Sequence, residues 1–453
     1  MLRSNQPAST LRALALFFLF LVLTFTTILS GAQSESVLYS FPGGPGGAAS
    51  PNSGLISGPG GFFYGTTAGG GAGGTVFKLF RSGGTWMAAS IHNFNGADGN
   101  GPQGSLLMDS AGNLYGTTAT GGNYGSGVVF ELEPVSGGWD YFVLHNFNFD
   151  GVNNFDGFQP VSNLVLDTKG RLYGTTKFGG SGQCFDTTAA AAPKGAIPTG
   201  CGTVFQLTPH PGGSWSEKIL YSFQGGADGA LPFAGLARDS SGIFYGTTFE
   251  GGIPAATSCN SKYATGCGVV FSLAPQAGGW IQKVVYAFQA QADGANPTAP
   301  VIFDRAGNIY GTTSGVDFGD DFSTVFELTP STGGVWNEHT LFAFAAGGDG
   351  TGTNALGGLI FDAAGNLYGT AFYGNGASTT AIAPPKSIGG GVVYKLAPTT
   401  SGPWTQSVLH TFTGSPDGYH PGYGSLVLRG GALYGTTTMG GTGNAGGVFS
   451  VAP

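Results

Sequence analysis

The chain has 453 residues, only 9% of them charged, and a formal net charge of −8 at pH 7. With 16 Lys and Arg against 24 Asp and Glu, and no basic run, it lacks the phosphate-neutralising surface that a nucleic-acid binder needs. Its 86 glycines recur at fixed places in turns, which excludes a low-complexity disordered chain.

Residues 1–32 read as a secretion signal. Arg3 and Arg12 form its basic region, residues 13–29 are apolar, and Ser30-Gly31-Ala32 offers small residues for cleavage before Gln33. An uncleaved anchor is the rival reading, since the apolar run approaches spanning length. No Cys follows the run, which argues against a lipoprotein. After cleavage no membrane span is expected, and residues 33–453 form one domain, secreted, periplasmic or on the cell surface.

From residue 36 onward one unit repeats. Its central tyrosines are Tyr64, Tyr115, Tyr173, Tyr245, Tyr310, Tyr368 and Tyr434, each followed by Gly-Thr, and all but Tyr368 by Gly-Thr-Thr. Uneven spacing of such units favours a propeller, which tolerates loop insertions, over a stacked solenoid. In the second copy four strand-like pieces follow one another: 104–109, 114–118, 128–132 and 139–147. All are rich in β-branched and aromatic residues and bounded by turn formers. No sustained 3.6-residue apolar period occurs after the N-terminus, so little helix is expected. The third pieces, such as Val76-Phe77-Lys78-Leu79, place apolar side chains on both faces, as a sheet packed between two neighbours requires. The expected fold is all-β: a seven-bladed β-propeller with four antiparallel strands per blade.

The last copy stops after its third strand, at residues 447–451. Residues 36–41 match the fourth strand of other copies, such as 219–223 and 284–288. The N-terminal strand is therefore expected to complete the last blade and close the ring, removing an open sheet edge. Trp86, Trp139, Trp215, Trp280, Trp336 and Trp404 each begin a fourth strand; only the transplanted strand lacks one.

Cys184, Cys201, Cys259 and Cys267 all lie between second and third strands of the third and fourth copies. Pairings 184–201 and 259–267 are favoured, each stapling one long loop. A cross-blade pairing and a zinc site are the alternatives, the latter without a tight Cys-x-x-Cys pair.

Asn-Leu-Tyr-Gly-Thr-Thr, Gly-Gly and Gly-Val-Val-Phe-Glu-Leu together resemble the GloVer tandem repeat of exported bacterial proteins, often called choice-of-anchor proteins. The resemblance covers residues 36–453. It implies export and commonly a C-terminal anchoring segment, which this sequence does not display, and it transfers no catalytic residues. The turn Asp109-Ser-Ala-Gly-Asn-Leu-Tyr is also similar to that of NHL-type propeller repeats, which bears on fold only.

Three sets of residues are candidates for chemistry. Asp98, Asp228, Asp293, Asp349 and Asp417, with Asp156, form Asp-Gly pairs ahead of the first strand; converging near the channel, such carboxylates would suit Ca²⁺ or another cation, or they simply make turns. Asp109, Asp167, Asp239, Asp304 and Asp362 end the first strand and read as turn caps. Asp317, Asp320 and Asp321, beside Phe318 and Phe322, form an acidic and aromatic cluster suited to carbohydrate or to an ordinary solvated loop. His92, His145 and His410 occupy the strand-four slot held elsewhere by Tyr39, Tyr221, Tyr286 and Phe342, which points to packing; His420, in a face loop, is the hardest histidine to dismiss. No Gly-x-Ser-x-Gly turn is present. The expected function is a monomeric binding or surface-interaction module for carbohydrate or protein, with no required cofactor. A polysaccharide lyase or hydrolase with a channel carboxylate site, and a structural envelope component, are the alternatives.

Overall fold

In the computed structural model each repeat folds into one small antiparallel sheet, and among the described residues seven such sheets form the blades, beside two short two-stranded pairs. The described residues are 35–44, 47–149, 156–186, 197–198, 200–252, 259, 264–290, 292–316, 323–344, 353–374, 389–399 and 403–453. Blade two shows the plan: Leu107–Met108, Leu114–Thr118, Val128–Val135 and Gly138–Asn146 pair in chain order. The innermost strand is shorter than the sequence pattern predicts. Its first residues bond around the axis instead: Ser105 N–H donates to Asn163 Oδ1, and Ser105 Oγ accepts from Gly54 N–H.

Closure takes the expected form. Ser36–Ser40 pairs antiparallel with Gly447–Val451, completing blade seven. The match extends to a defect. In blades one to six the ladder between strands three and four slips by one residue, between Val76/Phe77, Val129/Phe130, Val204/Phe205, Val270/Phe271, Val325/Phe326 and Val393/Tyr394. The N-terminal strand carries the same bulge, at Leu38. A bulge re-aims the residues after it. Here it turns one apolar side chain of the outer strand, such as Leu144 or Leu220, toward the core, where both are buried.

The core lies between blades rather than within one. Val76 packs with Leu114 and Phe130 of the next blade, while Phe77 and Leu79 pack with Phe41 and Val448 of the previous one. At each of the seven interfaces an aromatic ring ending one strand four meets the strand-three ring of the next blade edge-on. The pairs are Phe41–Phe77, Phe94–Phe130, Phe147–Phe205, Phe223–Phe271, Phe288–Phe326, Phe344–Tyr394 and Phe412–Phe449, with centroids 4.9–5.3 Å apart. Such pairs add about 0.5–1.5 kcal/mol each beyond area burial. They also explain the glycine of Tyr-Gly-Thr. A Cβ on Gly116 would sit 2.5 Å from the Phe130 ring, and the equivalent glycine of every other blade faces the same obstacle.

The threonines after that glycine divide the labour. The first reaches across the interface: Thr117 Oγ1 donates to Ser162 O, Thr175 to Ala234 O, and Thr436 to Ser53 O over the seam. The second caps its own loop, as Thr67 Oγ1 does by donating to Gly69 O. Trp139, Trp280, Trp336 and Trp404 each lie against the repeat tyrosine of the preceding blade.

Candidate functional site: the channel mouth

Both disulfides take the favoured pairing, Cys184–Cys201 and Cys259–Cys267. The Asp residues ending strand one cap turns as expected. Asp109 Oδ1 accepts from the N–H groups of Ala111 and Asn113, and its Oδ2 accepts from Asn113 Nδ2 and the Tyr115 hydroxyl. Tyr173 and Tyr368 donate to their own Asp in the same way, whereas the Tyr310 hydroxyl donates to Glu327 Oε1 at 2.6 Å. In the blades of Tyr115, Tyr173 and Tyr368 this bond ties the repeat tyrosine to the turn after strand one.

The Asp-Gly carboxylates are tied to the outer strand of their own blade. Asp98 bonds His92 Nε2 at 3.0 Å, Asp156 bonds His145 at 3.3 Å, and Asp417 bonds His410 at 3.2 Å. Asp228 and Asp293 accept from the hydroxyls of Tyr221 and Tyr286. Each also accepts from a backbone N–H three to eight residues earlier, as from Asn95 and Gln224. The strand-four slot and the Asp-Gly turn are therefore one unit. Burial lowers the His92 and His410 pKa values, and their Asp partners only partly oppose it. Among the described residues no three His, Cys, Asp or Glu side chains gather to hold a metal. Asp349, Asp317, Asp320 and Asp321 lie outside the described residues.

What the sequence pattern missed is a joint at the start of every blade. Ser50, Gly101, Gln159, Leu231, Asn296, Asn354 and His420 all adopt left-handed backbone, with φ between 54° and 66°. Six are not glycine, and all but Asn354 precede proline, which itself disfavours helical backbone in the residue before it. The conformation is held by neighbouring blades. In six of the seven, the joint N–H donates at 2.7–3.1 Å to a carbonyl just before strand three of the preceding blade: Ala445, Gly73, Ser126, Cys201, Cys267 or Gly390. Its carbonyl accepts from the segment after strand two of its own blade, as from Ala68 or Phe249. The joints therefore lie on the face that carries the second-to-third-strand loops.

The proline that follows packs on a glycine of the preceding blade. A Cβ on Gly74, Gly127, Gly202, Gly268, Gly391 or Gly446 would collide with Pro102, Pro160, Pro232, Pro297, Pro421 or Pro51 respectively. One interface departs from this on both sides at once. Ser323 replaces the glycine, Ala355 replaces the proline, and the Ala355 N–H donates to Ser323 Oγ at 3.0 Å.

Two residues beyond the joint the chain reaches the channel mouth. Asn52, Gln103, Val161, Phe233 and Thr298 stand at that position in five blades. With Tyr423 of blade seven they enclose a cavity of about 170 Å³. Phe233 is fixed between the Lys177 ammonium, 4.4 Å from its ring centre, and the edge of Phe249. Tyr423 donates its N–H to Asn52 O and leans on Phe372. Thr298 Oγ1 is enclosed, with no hydrogen-bond partner among the described residues. The disulfides brace this side: Cys201 O accepts from Leu231 and Cys267 O from Asn296, the joints that lead to Phe233 and Thr298.

His420 is itself a joint residue. Its ring stacks on Phe372 at 4.2 Å and contacts Tyr373 and Tyr419. Burial pushes its pKa down to about 4, so it stays neutral and acts as an aromatic slab against Phe372. The signal that could have located the mouth is the recurring proline, with a different residue after it in each copy.

Seven four-stranded sheets in a closed ring, with side chains from successive blades meeting at one mouth, define a seven-bladed β-propeller. The chain belongs to the Gloeobacter/Verrucomicrobia repeat family, whose profile matches residues 23–257. No curated protein matches it. Among solved structures it is similar to a candidate 6-phosphogluconolactonase from Bacteroides uniformis, at 13% identity and TM-score 0.47 over 83% of this chain and 88% of that one. It is also similar to the extracellular domain of a candidate one-component system from B. thetaiotaomicron, at 10% identity and TM-score 0.50. That match spans 92% of this chain but only 40% of the other, and is a likeness of fold.

Proposed function

We propose that the protein is an exported binding module whose ligand seats at the channel mouth. One observation carries this reading: a single backbone position, held alike from blade to blade, presents Asn52, Gln103, Val161, Phe233 and Thr298. A position whose side chain packs between blades keeps one kind of side chain, as the aromatic ring of strand three does. A recognition surface needs different groups at the same place. Export is supported by two disulfides, which persist in oxidising compartments. Among the described residues no helix is long and apolar enough to cross a membrane.

The alternative of a lyase or hydrolase draws no support from the mouth. Its described lining carries no carboxylate, imidazole or thiol to act as acid, base or nucleophile. The test is a ligand screen, over glycans and peptides, with wild type and with Val161→Trp, which fills the mouth without touching the blade interfaces. Binding that Val161→Trp abolishes at unchanged melting temperature supports the reading. Binding that survives it moves the site elsewhere.

A further inference from the structure

Resting on that reading, we infer that the mouth takes the terminal residue of a neutral glycan: one uncharged sugar ring, inserted end-on. Three features of the cavity carry this. The first is size. About 170 Å³ is close to the roughly 150 Å³ apolar cavity that takes one benzene, so the space fits a single six-membered ring. That volume takes one ring, and the rest of a glycan would lie outside it.

The second is the placing of the aromatics. Phe233 belongs to blade four and Tyr423 to blade seven, so the two rings stand three blades apart around a sevenfold ring, across the channel from one another. A sugar ring has an apolar C–H face that packs on an aromatic surface, and both rings are already fixed from behind, Phe233 by Lys177 and Phe249, Tyr423 by Phe372. Such prior fixing reduces the ordering entropy lost on binding.

The third is the polar set. The side chains of Asn52 and Gln103 and the Tyr423 hydroxyl supply the neutral donors and acceptors of the lining. An apolar ring would leave these groups unpaired, which is unfavourable. Equatorial hydroxyls pair with them. The six lining residues carry no charge, so no fixed ion pair rewards a uronate or a sulfate there.

The experiment is a glycan array with neutral, uronate-terminated and sulfated glycans beside a peptide library, followed by titration of the best ligand against Phe233→Ala, Tyr423→Ala, Gln103→Leu and Val161→Trp. Melting temperatures identify any variant that has merely unfolded. The expected result is binding of neutral-terminated glycans, weakened at least tenfold by each aromatic substitution, weakened less by Gln103→Leu, and abolished by Val161→Trp. Preference for uronate or sulfate termini overturns the neutral-sugar inference. A peptide ligand lost in the same variants overturns the sugar and leaves the mouth as the binding site. Glycan binding untouched by Val161→Trp overturns both.

Discussion

Tyr39 stands opposite Val448 in the seam ladder, directly beyond the same bulge that the other blades carry. The seam thus repeats an ordinary blade down to its irregularity. Phe41→Ala in the seam and Phe94→Ala inside the ring should each lower stability by about 3–5 kcal/mol in urea unfolding. A Phe41→Ala protein close to wild type, with Phe94→Ala strongly weakened, would show that the seam contributes little.

The Ser323–Ala355 exchange makes a sharper test. Ala355→Pro removes the N–H that Ser323 Oγ accepts and presses a ring on a side chain where other blades have glycine. It should lose about 1–3 kcal/mol. Adding Ser323→Gly should recover much of that, with a coupling of about 1–2 kcal/mol in a double-mutant thermal cycle. Strict additivity would sink the explanation.

Glu217 sits on strand four of blade three, facing Asp156 and His145 of the preceding blade. Burial first, then the Asp156 charge, raises its pKa to about 7. The folded state therefore binds this proton more tightly than the unfolded chain does. Its contribution is complete below the ordinary value near 4.5 and is lost as pH rises through 7. Glu217→Gln should match wild type at pH 4.5 and exceed it by about 1–2 kcal/mol at pH 8. A variant no more stable than wild type at pH 8 would refute the assignment.

Opening the Cys184–Cys201 bridge by a double Cys→Ser change should lower stability by about 3 kcal/mol. It should also speed hydrogen exchange at the Leu231 amide, whose acceptor is Cys201 O, while the Gly101 amide in blade two stays protected. Equal acceleration at both amides would mean that the bridge braces the whole ring and not this joint.

Strands, ring and seam were legible in the sequence because each rests on side-chain periodicity: Val76 and Phe77 must face opposite blades, and residues 36–41 repeat a pattern found elsewhere in the chain. The disulfides were legible because each pair closes one loop. The pairing of Tyr221 with Asp228 could have been read from a spacing of seven that Tyr286–Asp293 and His410–Asp417 share, but the longer His145–Asp156 insertion hides it. The channel mouth was not legible. Left-handed backbone at Ser50, Gln159, Leu231, Asn296 and His420 has no common residue type, because neighbouring blades impose it through main-chain bonds. The recurring proline after the joint, and the paired Ser323 and Ala355 where it is missing, are the traces those contacts leave in the sequence.

The strand of residues 36–40 is synthesised before every residue it will pair with. Until residues 447–451 arrive, its amides and carbonyls are open to any similar edge. Two chains folding side by side can therefore trade these strands and form a domain-swapped pair with the same ladders as two separate rings. Which product accumulates then depends on how crowded the chains are while they fold.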